Sequence, residues 1–238
     1  IAQQAAKRLA RVSLELGGLD PAIVLADADI ETAVLEIVKN NASNSGQVCN
    51  AIKRVLVHDS IFEPFLARAR DVVASLKYGD PRDPSTEVGP LVSAAQRARV
   101  QGYLDDAIAQ GAVAYRAPVS FNHGYFFPQT ILTKVPNTAQ LLHEEPFGPI
   151  LPLIPFTTTE EAVRIANGTP YGLSASVWTR DMELAQALAM QLECGTVRIN
   201  SHGGLRPGVP WGGCKESGIG RMKTKEGLRE FTNIKAVA

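Results

Sequence analysis

The stretch from Ile150 to Asn200 reads ILPLIPFTTTEEAVRIANGTPYGLSASVWTRDMELAQALAMQLECGTVRIN, and its reading decides the fold. Strand-like runs at Ile150–Phe156, Ser174–Thr179 and Thr196–Asn200 are separated by helical patterns near Thr159–Asn167 and Met182–Leu192. Strands that alternate with helices at this spacing predict an α/β fold, with a mostly parallel sheet and helices on both faces.

The same alternation extends toward the N-terminus. Residues 1–11 read as helix, and Val12–Leu16 as a short strand that ends at Gly17-Gly18. Pro21–Leu25 reads as a buried strand. Asp29–Lys39 reads as a helix with acidic residues in its first turn, where the positive end of the helix dipole favours them. A polar segment, Asn40–Gln47, leads to Cys49 and then to the apolar strand Val55–His58. Ser60 is a candidate cap for a helix running to about Leu76. Gly79, Pro81, Pro84 and Gly89 break the chain between Tyr78 and Pro90, and another helix fits Ser93–Gln110. No repeat, low-complexity tract or interdomain linker interrupts the pattern, which predicts a single organised unit.

Composition narrows the class. The chain has 238 residues, 45% of them hydrophobic, and 24 basic residues balance 24 acidic ones. A chain of this length buries roughly 70–75% of its unfolded surface. Zero net charge argues against a polybasic face for nucleic acid or acidic lipid. No run approaches the roughly 20 apolar residues of a spanning helix. Cys49, Cys194 and Cys214 are odd in number and unclustered, which disfavours a disulfide framework or a zinc site and fits a reducing, cytoplasmic compartment. The opening, Ile1-Ala-Gln-Gln-Ala-Ala-Lys-Arg, has no secretory pattern and reads as the middle of something longer.

Chemistry is concentrated at a few places. Cys49 stands in Asn44-Ser-Gly-Gln-Val-Cys-Asn, a setting of small and polar residues that suits a thiol at a turn. A turn rich in backbone N–H groups would favour the thiolate, which is the nucleophilic form; the bland alternative is a small buried hydrophobe. Glu15 precedes two glycines at a strand end, where partial burial would raise its pKa and suit it to general-base work. The plainer alternative is an edge carboxylate in solvent. Glu144-Glu-Pro-Phe-Gly-Pro presents two carboxylates and a ring from a turn, to ribose hydroxyls and a flat heterocycle in one reading, to solvent in the other. The glycines of Pro210-Trp-Gly-Gly and Ser217-Gly-Ile-Gly-Arg fit no phosphate-loop spacing and suggest the wall of a pocket. His58, His123, His143 and His202 have no paired metal-ligand spacing, so no metal is expected.

Five motifs together resemble the aldehyde dehydrogenase superfamily, in order and approximate spacing over nearly the whole chain. They are Leu14-Glu-Leu-Gly-Gly, Asn44-Ser-Gly-Gln-Val-Cys, Glu144-Glu-Pro-Phe-Gly-Pro, Asn167-Gly-Thr-Pro-Tyr-Gly-Leu-Ser-Ala and Pro210-Trp-Gly-Gly-Cys-Lys-Glu-Ser-Gly-Ile-Gly-Arg. The resemblance implies that Cys49 attacks an aldehyde and that a hydride passes to NAD or NADP. Water activated by Glu15 would then hydrolyse the thioester. It also implies that Glu145 holds the nicotinamide ribose, Phe147 lies near the ring and the Leu16 carbonyl near the carboxamide. Val48, Asn50 and Trp211 would line the substrate tunnel. Retention of Glu15 implies a free acid as product, because members that pass the acyl group to coenzyme A typically lack it.

The family's Gly-Ser-x-x-x-Gly turn and adenosine-ribose contacts are not in this sequence. By resemblance, residues 1–17 would be the last helix and strand of a cofactor-binding domain, and 18–238 the catalytic domain. A homodimer or homotetramer is implied for the complete protein. Leu19 stands where a Lys is common, Met222-Lys-Thr replaces an acid-and-glycine pattern, and Asn233 replaces a Glu that braces subunits. The alternatives are a truncated, non-catalytic homologue that binds or assembles, and a cofactor-independent thiol esterase built on Cys49.

Overall fold

A computed structural model describes residues 1–238 apart from Asn122 and Leu205. Seven strands form the main sheet: β2 (Asp20–Val24), β3 (Ile52–His58), β4 (Val113–Arg116), β5 (Thr130–Thr133), β6 (Ile150–Phe156), β8 (Ser174–Trp178) and β9 (Thr196–Ile199). Their order is β4-β5-β6-β3-β2-β8-β9. Every neighbouring pair is parallel except β4 with β5 at one edge.

Side-chain parity along the strands sorts the core into two faces. Ala22 and Val24 of β2, with Val55 and Val57 of β3, pack against α2 (Ile30–Ala42) and α3 (Phe62–Ser75). Their neighbours Ile23, Leu25 and Leu56 pack on the opposite face against α5 (Thr159–Asn167) and α6 (Met182–Ala189). A third cluster joins α4 (Ala94–Ala109) to Leu132 and Ile150. Because both faces are covered, β2 and β8 are buried at every position. Each fully buried Val, Leu or Ile contributes about 1.5–3 kcal/mol, so the doubly wound sheet is the rigid part of the molecule.

Helix starts follow cap chemistry. Asp29 accepts from the Thr32 N–H, Ser93 from Gln96, Thr158 from Glu161 and Asp181 from Leu184. Ser60 does not cap α3. Its hydroxyl lies 2.8 Å from His58 Nδ1, which also accepts its N–H, and it is held in a 3₁₀ turn ahead of the helix.

Other boundaries also moved. The N-terminal helix α1 covers only Ala2–Ala6 rather than residues 1–11, and it buries no side chain to stabilise further turns. The expected strand Val12–Leu16 shrinks to β1 (Leu14–Glu15). It lies outside the main sheet and pairs antiparallel with β11 (Gly218–Ile219). The glycine-rich stretch is ribbon as much as wall, since β10 (Cys214–Lys215) also pairs with β7 (Tyr171–Gly172). A final short helix, α7, covers Lys225–Glu230. Among the described residues no helix is long and apolar enough to cross a membrane.

Candidate active site

Cys49 is half-buried in the turn between α2 and β3. Three consecutive residues ahead of it are left-handed: Asn44 (φ 48°), Ser45 (φ 57°) and Gly46 (φ 74°). Two of these are not glycine, and each costs about 1–2 kcal/mol in this region. Hydrogen bonds hold the turn in place. Ser45 Oγ donates to the Gly89 carbonyl at 2.7 Å, and Gln47 Nε2 donates to the Asn44 carbonyl at 3.0 Å. Gln47 Oε1 accepts from the Val92 N–H at 2.9 Å. On the far side, Asn40 Oδ1 accepts from the Ile52 N–H at 2.8 Å, and Asn41 Nδ2 donates to the Ile52 carbonyl at 2.7 Å. Strain imposed by so many contacts is a mark of functional turns.

Beneath this turn lies Lys53, whose side chain is 0% exposed. Its ammonium donates to the carbonyls of Val48 and Cys49, both at 2.9 Å, and more weakly to Ala51 at 3.4 Å. The same nitrogen is 2.9 Å from Glu145 Oε1. The other carboxylate oxygen of Glu145 lies over Gly17, where any Cβ would overlap it. A Cβ at Gly18 would sit 2.8 Å from the Cys49 carbonyl oxygen. The Gly17-Gly18 pair therefore lets one backbone segment touch both the cysteine turn and the Glu145 carboxylate.

The turn bearing Glu145 is fixed to α4. Gln96 Nε2 donates to the carbonyls of Phe147 (2.8 Å) and Pro146 (3.2 Å), while Arg99 donates to that of Glu145 at 3.3 Å. Tyr103 donates to Glu144 Oε2 at 2.8 Å, so Glu144 is tied to the protein and is not simply solvated. Phe147 is half-buried with φ 50°.

The structure thus brings Cys49, Val48, Asn50 and Glu145 together around Lys53 and the neighbouring turn. Val48 and Asn50 are half-buried, and the Asn50 carbonyl meets His202 Nε2 at 3.0 Å. Other expected residues sit differently. Glu15 is exposed on the β1–β11 ribbon, not partly buried as expected, because that ribbon lies outside the main sheet. Leu16 is 46% exposed, and its N–H donates to the Ser217 carbonyl. Trp211 is 6% exposed and backbone-paired with Met222, so its ring presents little surface.

The electrostatics correct a second expectation. Burial pushes the Cys49 thiol above its ordinary pKa, and the charges of Asp20 and Glu145 add to this. Lys53 and the Asn50 N–H pull the other way without reversing it. The turn therefore restrains ionisation of the resting thiol. Cys194, whose thiol donates to the Thr196 carbonyl, is pushed up to about 12 by burial and is a structural residue. Cys214 accepts from Arg221 at 3.4 Å.

Three buried charged residues beside the site escaped sequence reasoning. They are Lys53, Arg54 and Asp20. Arg54 donates to the carbonyls of Leu19, Ile165 and Ala166, and burial brings its pKa down to about 10. Asp20 accepts from the Ser174 N–H and hydroxyl, and His202 Nε2 lies 3.7 Å from it. The available signal was a Lys-Arg pair opening an otherwise apolar strand.

A doubly wound α/β domain thus holds Cys49 in a strained turn over a buried lysine–carboxylate pair. The chain belongs to the aldehyde dehydrogenase family, whose family model matches residues 1–237. Lactaldehyde dehydrogenase from Escherichia coli superposes with a TM-score of 0.92 at 37% identity, over 97% of this chain and 49% of its own. Betaine aldehyde dehydrogenase from Staphylococcus aureus, solved with NAD+, gives 0.92 at 37%, over 97% and 46%. A Staphylococcus epidermidis relative is 40% identical over 242 residues, matching all of this chain. The chain spans about half the length of the curated relatives it matches, 51% in that case.

Proposed function

We propose that this chain is the catalytic part of an NAD- or NADP-dependent aldehyde dehydrogenase that releases a carboxylic acid. The observation that supports this most is the convergence of the Cys49 turn and the Glu145 carboxylate on one buried ammonium. Residues 1–17 would belong to a cofactor-binding domain and 18–238 to the catalytic domain. A homodimer or homotetramer is the proposed state of the complete protein.

The residues present fit a nicotinamide cofactor. Glu145 keeps 14% of its side chain exposed, enough to present an oxygen to ribose hydroxyls, and the missing Cβ at Gly17 leaves the carboxylate room. Phe147 offers a ring two residues away, and the half-exposed Leu16 would offer its carbonyl to a carboxamide.

Cys49 would first lose its thiol proton to solvent; its sulfur would then bond to the aldehyde carbon, turning the carbonyl into an oxyanion to which the Cys49 N–H donates. A bound nicotinamide supplies the acceptor for the hydride. The carbon then remains on sulfur as a thioester. Glu15 would take a proton from water as the water oxygen attacks that thioester, the C–S bond breaks and the acid departs. Exposure of Glu15 gives it ready access to water. Val48, Asn50 and Trp211 would border the aldehyde. In the full-length protein, Cys49→Ser should abolish aldehyde-dependent reduction of the nicotinamide, and normal turnover in that variant would refute the reading.

A further inference from the structure

The aldehyde dehydrogenase reading leaves unexplained a lysine with no exposed side-chain surface beneath the cysteine turn. Burying an ammonium costs several kcal/mol unless it is paired and hydrogen-bonded. Lys53 is both: three carbonyls surround it, two of them from Val48 and Cys49, and one carboxylate oxygen of Glu145 completes the set. It therefore touches the main chain of the nucleophile and the side chain of the carboxylate that would hold ribose.

From this geometry we propose that Lys53 is a positioning residue that couples the two halves of the site, fixing the Cys49 main chain and Glu145 relative to each other. The inference rests on the proposed roles of Cys49 and Glu145.

The charged groups around the thiol are few, and their signs oppose one another. Burial and the carboxylates of Asp20 and Glu145 disfavour the thiolate, whereas Lys53 favours it. The imidazole of His202 approaches from the other side through the Asn50 carbonyl and Asp20. Lys53 and Glu145 thus form a matched pair whose halves act in opposite directions. Any change that draws Glu145 off Lys53 leaves the Lys53 charge less compensated beside Cys49.

The test is the pH profile of Cys49 carboxamidomethylation by iodoacetamide, read by peptide mass on the 238-residue chain without aldehyde or cofactor. Lys53→Met should move the profile to higher pH and slow alkylation about tenfold near neutrality, the equivalent of one pKa unit. Glu145→Gln should move it to lower pH and speed alkylation severalfold. Two independent charges would also give shifts of opposite sign; coupling predicts in addition that the shift from Glu145→Gln changes in the Lys53→Met background, and shifts that simply add in the double variant would overturn the proposal. Profiles that coincide with wild type in folded variants would overturn the proposal. If Lys53→Met does not fold, Glu145→Gln decides alone, because its side chain is partly exposed and an unmoved profile there suffices to reject the coupling. The two readings fail separately: an acyl adduct on Cys49 with unmoved profiles rejects only the coupling, and shifted profiles without any acyl adduct reject the enzymatic role of Cys49.

Discussion

Gly46 lies against the backbone carbonyl of Gly148, so closely that a Cβ on Gly46 would overlap it and approach Pro149 N to 2.7 Å. The contact joins the turn that carries Cys49 to the turn that carries Glu145 and Phe147. Neither turn belongs to the sheet; the first is clamped to strand β3 through Asn40 and Asn41, and the second to helix α4 through Gln96. The two halves of the proposed site are thereby held backbone to backbone.

Gly46→Ala should be costly for two reasons. It places a side chain at φ 74° and drives that side chain into another backbone. Together these should remove about 3 kcal/mol of stability, measured from urea unfolding. Gly102→Ala, in α4 with open space around it, should instead stabilise by about 0.5–1 kcal/mol. Equal effects at the two positions would contradict this account of the turn.

Glu15→Gln in the full-length protein should leave acylation intact and slow hydrolysis. Rapid mixing with aldehyde and cofactor should show about one equivalent of reduced nicotinamide per site, followed by turnover at least tenfold below wild type. A steady state without a burst and with unchanged rate would remove Glu15 from the mechanism.

Alkaline pH should weaken the fold through Cys194. In the unfolded chain this thiol ionises near 9, whereas burial keeps it protonated in the folded chain up to about 12. The folded form therefore holds the proton more tightly. Its advantage is complete below pH 9 and is lost progressively as pH rises toward 12. Between pH 8 and 10 the wild type should lose about 1 kcal/mol more than Cys194→Ala, measured by denaturant unfolding at each pH. Parallel losses in the two proteins would show that Cys194 ionises as freely folded as unfolded.

Much of the fold was readable because apolar runs report burial directly. The run Ile150–Phe156 and the helix Thr159–Asn167 match β6 and α5 residue for residue. Strand β5 is fully buried but only four residues long, and β4 is a half-exposed edge strand, so neither carries a strong pattern. The motif at Cys49 was visible, but its thiol pKa was not. That depends first on burial and then on Lys53, Asp20 and Glu145, which meet around the thiol only in the fold. Lys53 was hidden for a related reason: a Lys-Arg pair in a strand ordinarily marks solvent-facing positions, and only the carbonyls and carboxylate around Lys53 reverse that meaning. Glu15 lies on a ribbon whose partner is more than 200 residues away, so no local pattern could give its exposure.

On this reading Cys49 is a competent nucleophile held by this domain. The most direct test of that is the intact and peptide mass of the chain after brief exposure to an activated acetate ester. The account predicts one acetyl group per chain, confined to Cys49 and lost in Cys49→Ser, with Cys194 and Cys214 unmodified. A folded chain that carries no adduct at Cys49, or one that is acetylated equally at Cys214, would contradict it.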